Sequence, residues 1–134
     1  MAEKPSPHPV ILVVDDVQDV RLSVRQLLED EFTVLEAANS REALELVQRQ
    51  KVDAVLTDLY MPGDIDGIAL IGLIRQMPRP PPALIAMSGA HLAYRSSLQA
   101  ALHLGADAAL TKPFKSDELI GTIRRLLPAA PAVL

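Results

Sequence analysis

Five short aliphatic runs without polar alternation, separated by stretches of helical spacing, constrain this chain more than any other feature. The runs are Val10-Ile11-Leu12-Val13-Val14, Thr33-Val34-Leu35, Ala54-Val55-Leu56-Thr57, Ala83-Leu84-Ile85-Ala86-Met87 and the weaker Ala108-Ala109-Leu110-Thr111. A strand with one wet face alternates apolar and polar residues, so an unbroken run reads as a strand buried on both faces, the habit of parallel sheets. Parallel neighbours need crossovers, and the intervening segments supply them. Val17, Val20, Val24, Leu27 and Leu28 recur at helical intervals, as do Leu119, Ile120, Ile123, Leu126 and Leu127. Asn39 or Ser40 caps a helix carrying Ala43, Leu44 and Val47, with Glu42 in its first turn. Ile68, Ile71 and Ile74 mark a third helix, and Leu98, Ala101 and Leu102 a fourth that stops at Gly105. The predicted order is βα five times, an α/β fold with helices on both faces of a parallel sheet.

The prolines agree, because a proline inside a helix or central strand removes a backbone donor and clashes with the preceding turn. Pro5, Pro7, Pro9, Pro62, Pro78, Pro80 to Pro82, Pro113, Pro128 and Pro131 all fall between the expected elements. The PxxP spelling from Pro78 to Pro81 reads as a stiff connector. The expected organisation is a lead-in over residues 1–9, one domain over 10–127 and a Pro/Ala tail over 128–134.

Composition excludes several functions. A formal charge of −4 without a Lys/Arg run lacks the footprint of direct nucleic-acid binding. With no cysteine there are no disulfides, thiolate metal sites or thiol nucleophiles. The first apolar run is too short for membrane insertion, so a cytoplasmic location is expected.

In open α/β sheets ligands bind at the carboxyl ends of the strands. Those ends carry Asp15-Asp16, Asp58, Ser88-Gly89 and Lys112-Pro113. Taken singly, each has an ordinary reading: Asp15 or Asp16 as a helix cap, Asp58 as a loop acid, Ser88 as a cap and Lys112 as a solvated charge. Taken together they place three carboxylates, a hydroxyl and an ammonium at one edge. Two like charges 4 Å apart cost about 4 kcal/mol at an effective dielectric near 20, and a divalent cation such as Mg²⁺ relieves that cost.

Val13-Val14-Asp15-Asp16, Leu56-Thr57-Asp58-Leu59-Tyr60-Met61-Pro62-Gly63, Met87-Ser88-Gly89 and Leu110-Thr111-Lys112-Pro113-Phe114 resemble the motifs of response-regulator receiver domains. The resemblance runs from about Val10 to Leu127. It implies a flavodoxin-like sheet of order 2-1-3-4-5 and a signalling phosphoacceptor rather than an enzyme, one that assists its own phosphoryl transfer and its own dephosphorylation. It implies Asp58 as the phosphoacceptor, and Asp16, Asp58 and the Tyr60 backbone carbonyl as ligands of Mg²⁺ or, in its place, Mn²⁺, with Asp15 binding directly or through water. Lys112 and Ser88 would hold phosphoryl oxygens, Gly89 would leave access to the pocket, and the bond to Pro113 would be cis. The implied partners are a sensor histidine kinase or phosphotransfer protein as donor, and a downstream protein target. His8, His91 and His103 read as structural or solvated, His91 being near enough to the pocket to influence hydrolysis.

Two departures stand out. The loop Met61-Pro62-Gly63-Asp64-Ile65-Asp66-Gly67 is one residue longer than the usual pattern, and the aromatic that the family carries three residues before the lysine is Ala109. Ala109 has no side-chain rotamer to turn, so Ser88 and the loop after the fourth strand become the expected switch. The alternative is a receiver-like interaction module that no longer switches by phosphorylation. A dehalogenase-type phosphatase would need an acid where Tyr60 stands, and a flavodoxin would need a hydroxyl-rich loop in place of Asp15-Asp16.

Overall fold

The computed structural model describes residues 8–61, 63, 65–78, 80–89 and 92–127, the last segment without side chains over 92–97. The lead-in through residue 7, Pro62, Asp64, His91 and the tail over 128–134 lie outside the described residues. Five strands alternate with five helices: β1 Val10–Val14, α1 Gln18–Leu28, β2 Thr33–Ala37, α2 Ser40–Arg49, β3 Ala54–Asp58, α3 Gly67–Arg75, β4 Ala83–Ser88, α4 Leu92–Leu104, β5 Ala108–Thr111 and α5 Ser116–Leu126. The strands form one parallel sheet in the order β2-β1-β3-β4-β5, as the resemblance implied.

Successive side chains of a strand point to opposite faces, and each face has its own core. Ile11, Val13, Ala54, Leu56, Ile85, Met87 and Leu110 join Val24 and Leu28 of α1 and Leu119 and Ile123 of α5. Leu12, Val14, Val55, Leu84 and Ala86 face the other way, against Ala43 and Val47 of α2, Leu70, Ile71 and Ile74 of α3, and Leu98 and Ala101 of α4. Burial on both faces is what the unbroken runs required of the central strands.

The edge strand β2 departs from that expectation. It runs two residues beyond Leu35, Thr33 is exposed, and Leu35 and Glu36 are only partly buried. Glu36 interrupts the aliphatic run yet keeps strand register opposite Val13, because its carboxylate is held by two guanidiniums of α1. Arg21 Nε lies 3.1 Å from one oxygen and Arg25 Nε 2.7 Å from the other.

Three expected core positions are solvent-facing: Val17 is 47% exposed, Leu27 36% and Leu102 44%. Val17 is the extended residue before α1, so its side chain leaves the helical face. Leu27 and Leu102 each sit about 100° around the helix from a residue that does face the sheet, Leu28 and Ala101. Of the two candidate caps for α2, Asn39 serves, its Oδ1 accepting from Glu42 N at 2.9 Å. Asp66 caps α3 in the same way, accepting from Ala69 N at 2.8 Å, and α4 ends at Gly105 with φ +128°.

At the opposite end of the sheet, acids tie down the strand starts. Asp53 Oδ2 accepts from Val10 N at 2.7 Å and Asp107 Oδ2 from Leu84 N at 2.8 Å, while Arg75 bridges Asp107 and the Gly105 carbonyl. Among the described residues no helix is long and apolar enough to cross a membrane.

Two expectations follow from these contacts. A Cβ on Gly67 would lie 2.0 Å from the Asp58 carbonyl oxygen, whereas one on Gly72 meets nothing within 4 Å. Gly67→Ala should therefore destabilise the protein by about 1–3 kcal/mol, the usual cost of overpacking. Gly72→Ala should stabilise it by about 0.5–1 kcal/mol through helix propensity. Denaturant melts of both variants check this, and equal shifts would refute it. The Arg25 and Arg21 guanidiniums hold the Glu36 carboxyl below its ordinary value of 4.5. Its contribution, about 1 kcal/mol or less for pairs this accessible, is thus present at neutral pH and is lost as pH falls from about 4.5 through the lower folded value. The stability gap between wild type and Glu36→Gln should close over that acid window.

Candidate functional site

The carboxyl ends of β1, β3, β4 and β5 lie side by side because the strands are parallel and in register. Ladder bonds continue just past the strands, Asp15 N donating to Ala37 O, Leu59 N to Met87 O and Lys112 N to Ser88 O. These bonds set Asp15, Asp58, Ser88 and Lys112 on one rim, where Asp16 joins them.

Carboxylate oxygens of Asp15, Asp16 and Asp58 all lie within 4.8 Å of one another. At that separation each like-charged pair costs roughly 3 kcal/mol with an effective dielectric near 20. Lys112 is the visible compensation: its Nζ is 3.3 Å from Asp15 Oδ2 and 3.2 Å from Asp58 Oδ2. Three carboxylates share this one ammonium, so the cluster remains negative. Its donors are all oxygens, without His or Cys, which suits a hard cation such as Mg²⁺ rather than a soft metal.

The three acids are held differently. Asp15 is fully buried, its Oδ1 accepting from Val17 N at 2.9 Å and its backbone carbonyl from Arg21 Nη1 at 2.7 Å. Asp58 is partly buried and its Oδ1 accepts from the Tyr60 backbone N at 3.2 Å. Asp16 is exposed, and its carboxylate has no hydrogen-bond or ion-pair partner among the described residues. The helix-cap reading of Asp15 and Asp16 fails, because the residue preceding α1 is Val17 and no side chain caps that end.

Ser88 closes β4 with its hydroxyl buried and without a partner; Ser40 Oγ, at the start of α2, is the other such atom among the described residues. An orphaned buried hydroxyl costs about 1–3 kcal/mol, and at Ser88 a ligand oxygen would remove that cost. Gly89 beside it is partly buried. The Lys112–Pro113 peptide is cis. Ala109, paired with Ala86, packs its methyl against the core on the α2, α3 and α4 face. Of the histidines, His8 Nδ1 is 2.7 Å from Glu31 O and His103 lies exposed in the last turn of α4.

Sequence reading missed three contributors. Gly67 lets the start of α3 reach the Asp58 carbonyl, which also accepts the buried Thr57 hydroxyl at 2.9 Å. Asp66-Gly67 was visible as a loop end, but the close approach was not. Arg21 carries no local signal, since its partners are a backbone carbonyl and a glutamate on another element.

The profile of the response regulator receiver domain matches residues 11–124. An uncharacterised 14.6 kDa protein of Leptolyngbya boryana is 38% identical over 122 residues, covering 90% of this chain and 92% of that one. The transcriptional regulatory protein PrrA of Mycobacterium tuberculosis is 36% identical over 123 residues, and this chain spans about half of PrrA's length. Among solved structures, the chemotaxis response regulator CheY4 of Vibrio cholerae superposes with a TM-score of 0.78 at 27% identity, covering 90% of this chain and 99% of CheY4. A receiver domain protein of Clostridium thermocellum gives 0.80 at 29% identity, covering 88% and 93%. A profile that runs from Ile11 in β1 to Arg124 in α5, over a rim where acids, hydroxyl and lysine converge, makes this chain a member of the response regulator receiver domain family.

Proposed function

We propose that the chain is a phosphoacceptor switch, phosphorylated on Asp58 by a phosphohistidine of a sensor kinase or phosphotransfer protein. The observation that carries this reading is the meeting of Asp15, Asp16 and Asp58 within 4.8 Å beside Lys112. An Asp58 oxygen forms the new O–P bond as the donor's P–N bond breaks, and the bonding electron pair returns to the imidazole nitrogen. Asp15, Asp16, Asp58 and the Tyr60 carbonyl are assigned to Mg²⁺. When bound, the ion offsets the crowded carboxylates and the charge of the phosphoryl oxygens. Lys112, shared by Asp15 and Asp58 before transfer, takes a phosphoryl oxygen in a charge-assisted hydrogen bond. The Ser88 hydroxyl takes another, and Gly89 keeps the approach open.

The signal is then read through Ser88. Phosphorylation shifts an equilibrium only through contacts that differ between the two states. A hydroxyl without a partner before phosphorylation, and bonded afterwards, is such a contact. Ala109 offers no rotamer to carry the change through β5, so the loop between β4 and α4 carries it to a downstream protein target.

Incubation with acetyl phosphate and Mg²⁺, followed by intact-mass analysis, should add one phosphoryl group to the wild type and none to Asp58→Asn. Undiminished labelling of the variant would remove Asp58 from its role. No labelling of the wild type with acetyl phosphate or with any histidine donor would favour an interaction module that does not switch, the reading to which Ala109 points. Hydrogen exchange with a beryllofluoride mimic should alter protection in the peptide that begins at Ser88. Protection changes confined to other parts of the surface would overturn the proposed readout.

A further inference from the structure

We propose that Arg21 is a positioning residue for the acidic cluster: held by Glu36, it fixes the peptide joining Asp15 to Asp16 and thereby places the Asp16 carboxylate for cation binding. The proposal rests on the reading of Asp15, Asp16 and Asp58 as the cation site, and extends it to a residue outside the rim.

The carbonyl that Arg21 Nη1 meets at 2.7 Å belongs to the peptide between the two acids. Asp15 is held at every polar atom: N by Ala37 O, Oδ1 by Val17 N, Oδ2 by Lys112 and O by Arg21. Asp16 is exposed and its side chain has no such partner among the described residues, so its place depends on its backbone alone. The peptide after Asp16 is held by Val17 N on Asp15 Oδ1, and the orientation of the peptide before it is held by Arg21. The guanidinium is itself fixed. Its Nε donates to Glu36 at 3.1 Å, and the other Glu36 oxygen takes Arg25 Nε at 2.7 Å, with Arg25 Nη2 on Val34 O at 3.2 Å. The Arg21 side chain is only 14% exposed. A planar guanidinium can serve a carboxylate and a carbonyl together, which an ammonium on a flexible stem does poorly.

Charge alone predicts the opposite sign. A cation near a cation site repels the incoming ion, so deleting it should tighten Mg²⁺ binding. Positioning predicts weaker binding, because outer partners that orient ligands typically contribute ten- to a hundred-fold in affinity, here expected at about ten-fold or more.

Calorimetric Mg²⁺ titration of the full chain, with a thermal melt of each variant, separates these accounts. Arg21→Ala and Arg21→Lys should both bind Mg²⁺ about ten-fold or more weakly. Glu36→Gln, which keeps the Arg21 charge and sits on an edge strand, should lose affinity by a smaller factor and serves where Arg21→Ala fails to fold. Tighter binding by Arg21→Ala with wild-type affinity in Arg21→Lys would replace positioning by charge. A lowered melting temperature with unchanged affinity in all three would reduce Arg21 to a fold contact and overturn the proposal. A wild type that binds no Mg²⁺, or an Asp16→Asn variant that binds as the wild type does, would instead overturn the cation-site reading.

Discussion

The parallel sheet is buried on both faces, and nearly everything else follows from that constraint. Side chains of β1, of β3 up to Leu56 and of β4 up to Met87 are apolar whichever way they point, because each side meets a helix layer rather than water. Polar chemistry is thus driven off the strands to their ends. At the amino ends Asp53 and Asp107 receive the backbone donors of neighbouring strand starts, a structural use. At the carboxyl ends Asp15, Asp16 and Asp58 face one another instead.

The electrostatics of the carboxyl rim make that contrast concrete. A small domain is stable by only about 5–15 kcal/mol, and each pair of rim carboxylates opposes folding by roughly 3 kcal/mol at an effective dielectric near 20. Lys112 relieves part of this by touching Asp15 and Asp58, and it leaves Asp16 to solvent. Ser88 adds a buried hydroxyl without a partner. Crowded like charges beside an unpartnered buried hydroxyl are the kind of local departure that functional sites commonly show. The rim is also stiff where it must be. Gly67 and Thr57 converge on the Asp58 carbonyl, and Arg21 holds that of Asp15, so both acids are anchored by backbone while their carboxylates face the cluster.

Much of this was legible in the chain. Periodicity marked the strands and helices, the prolines fell between them, and Asp15, Asp16, Asp58, Ser88 and Lys112 could be named from their positions at strand ends. The failures share a cause. Val17, Leu27 and Leu102 match the helical interval, but an interval does not say where a helix starts or which edge of its apolar stripe meets the sheet. β2 continues through Glu36 because Arg21 and Arg25 pair with that carboxylate, and the arginines stand on a different element, α1, so the pairing is not a property of the strand's own residues. Gly67 looked like an ordinary loop end, since the carbonyl it must clear belongs to β3.

The sequence by itself determined the alternation of strands and helices, the burial of the central strands, and the identity and order of the chemical groups: acid pair, acid, hydroxyl, lysine. Those properties are local, written in side-chain type and in spacings of two or about 3.6 residues. Only the tertiary structure decided that Lys112 bridges Asp15, 97 positions away, and Asp58, that Asp16 stays exposed while Asp15 is buried, and that Arg21 braces the peptide between them. Such contacts depend on strand order and register, which arise from how whole elements pack against one another. No local preference of the residues involved encodes them.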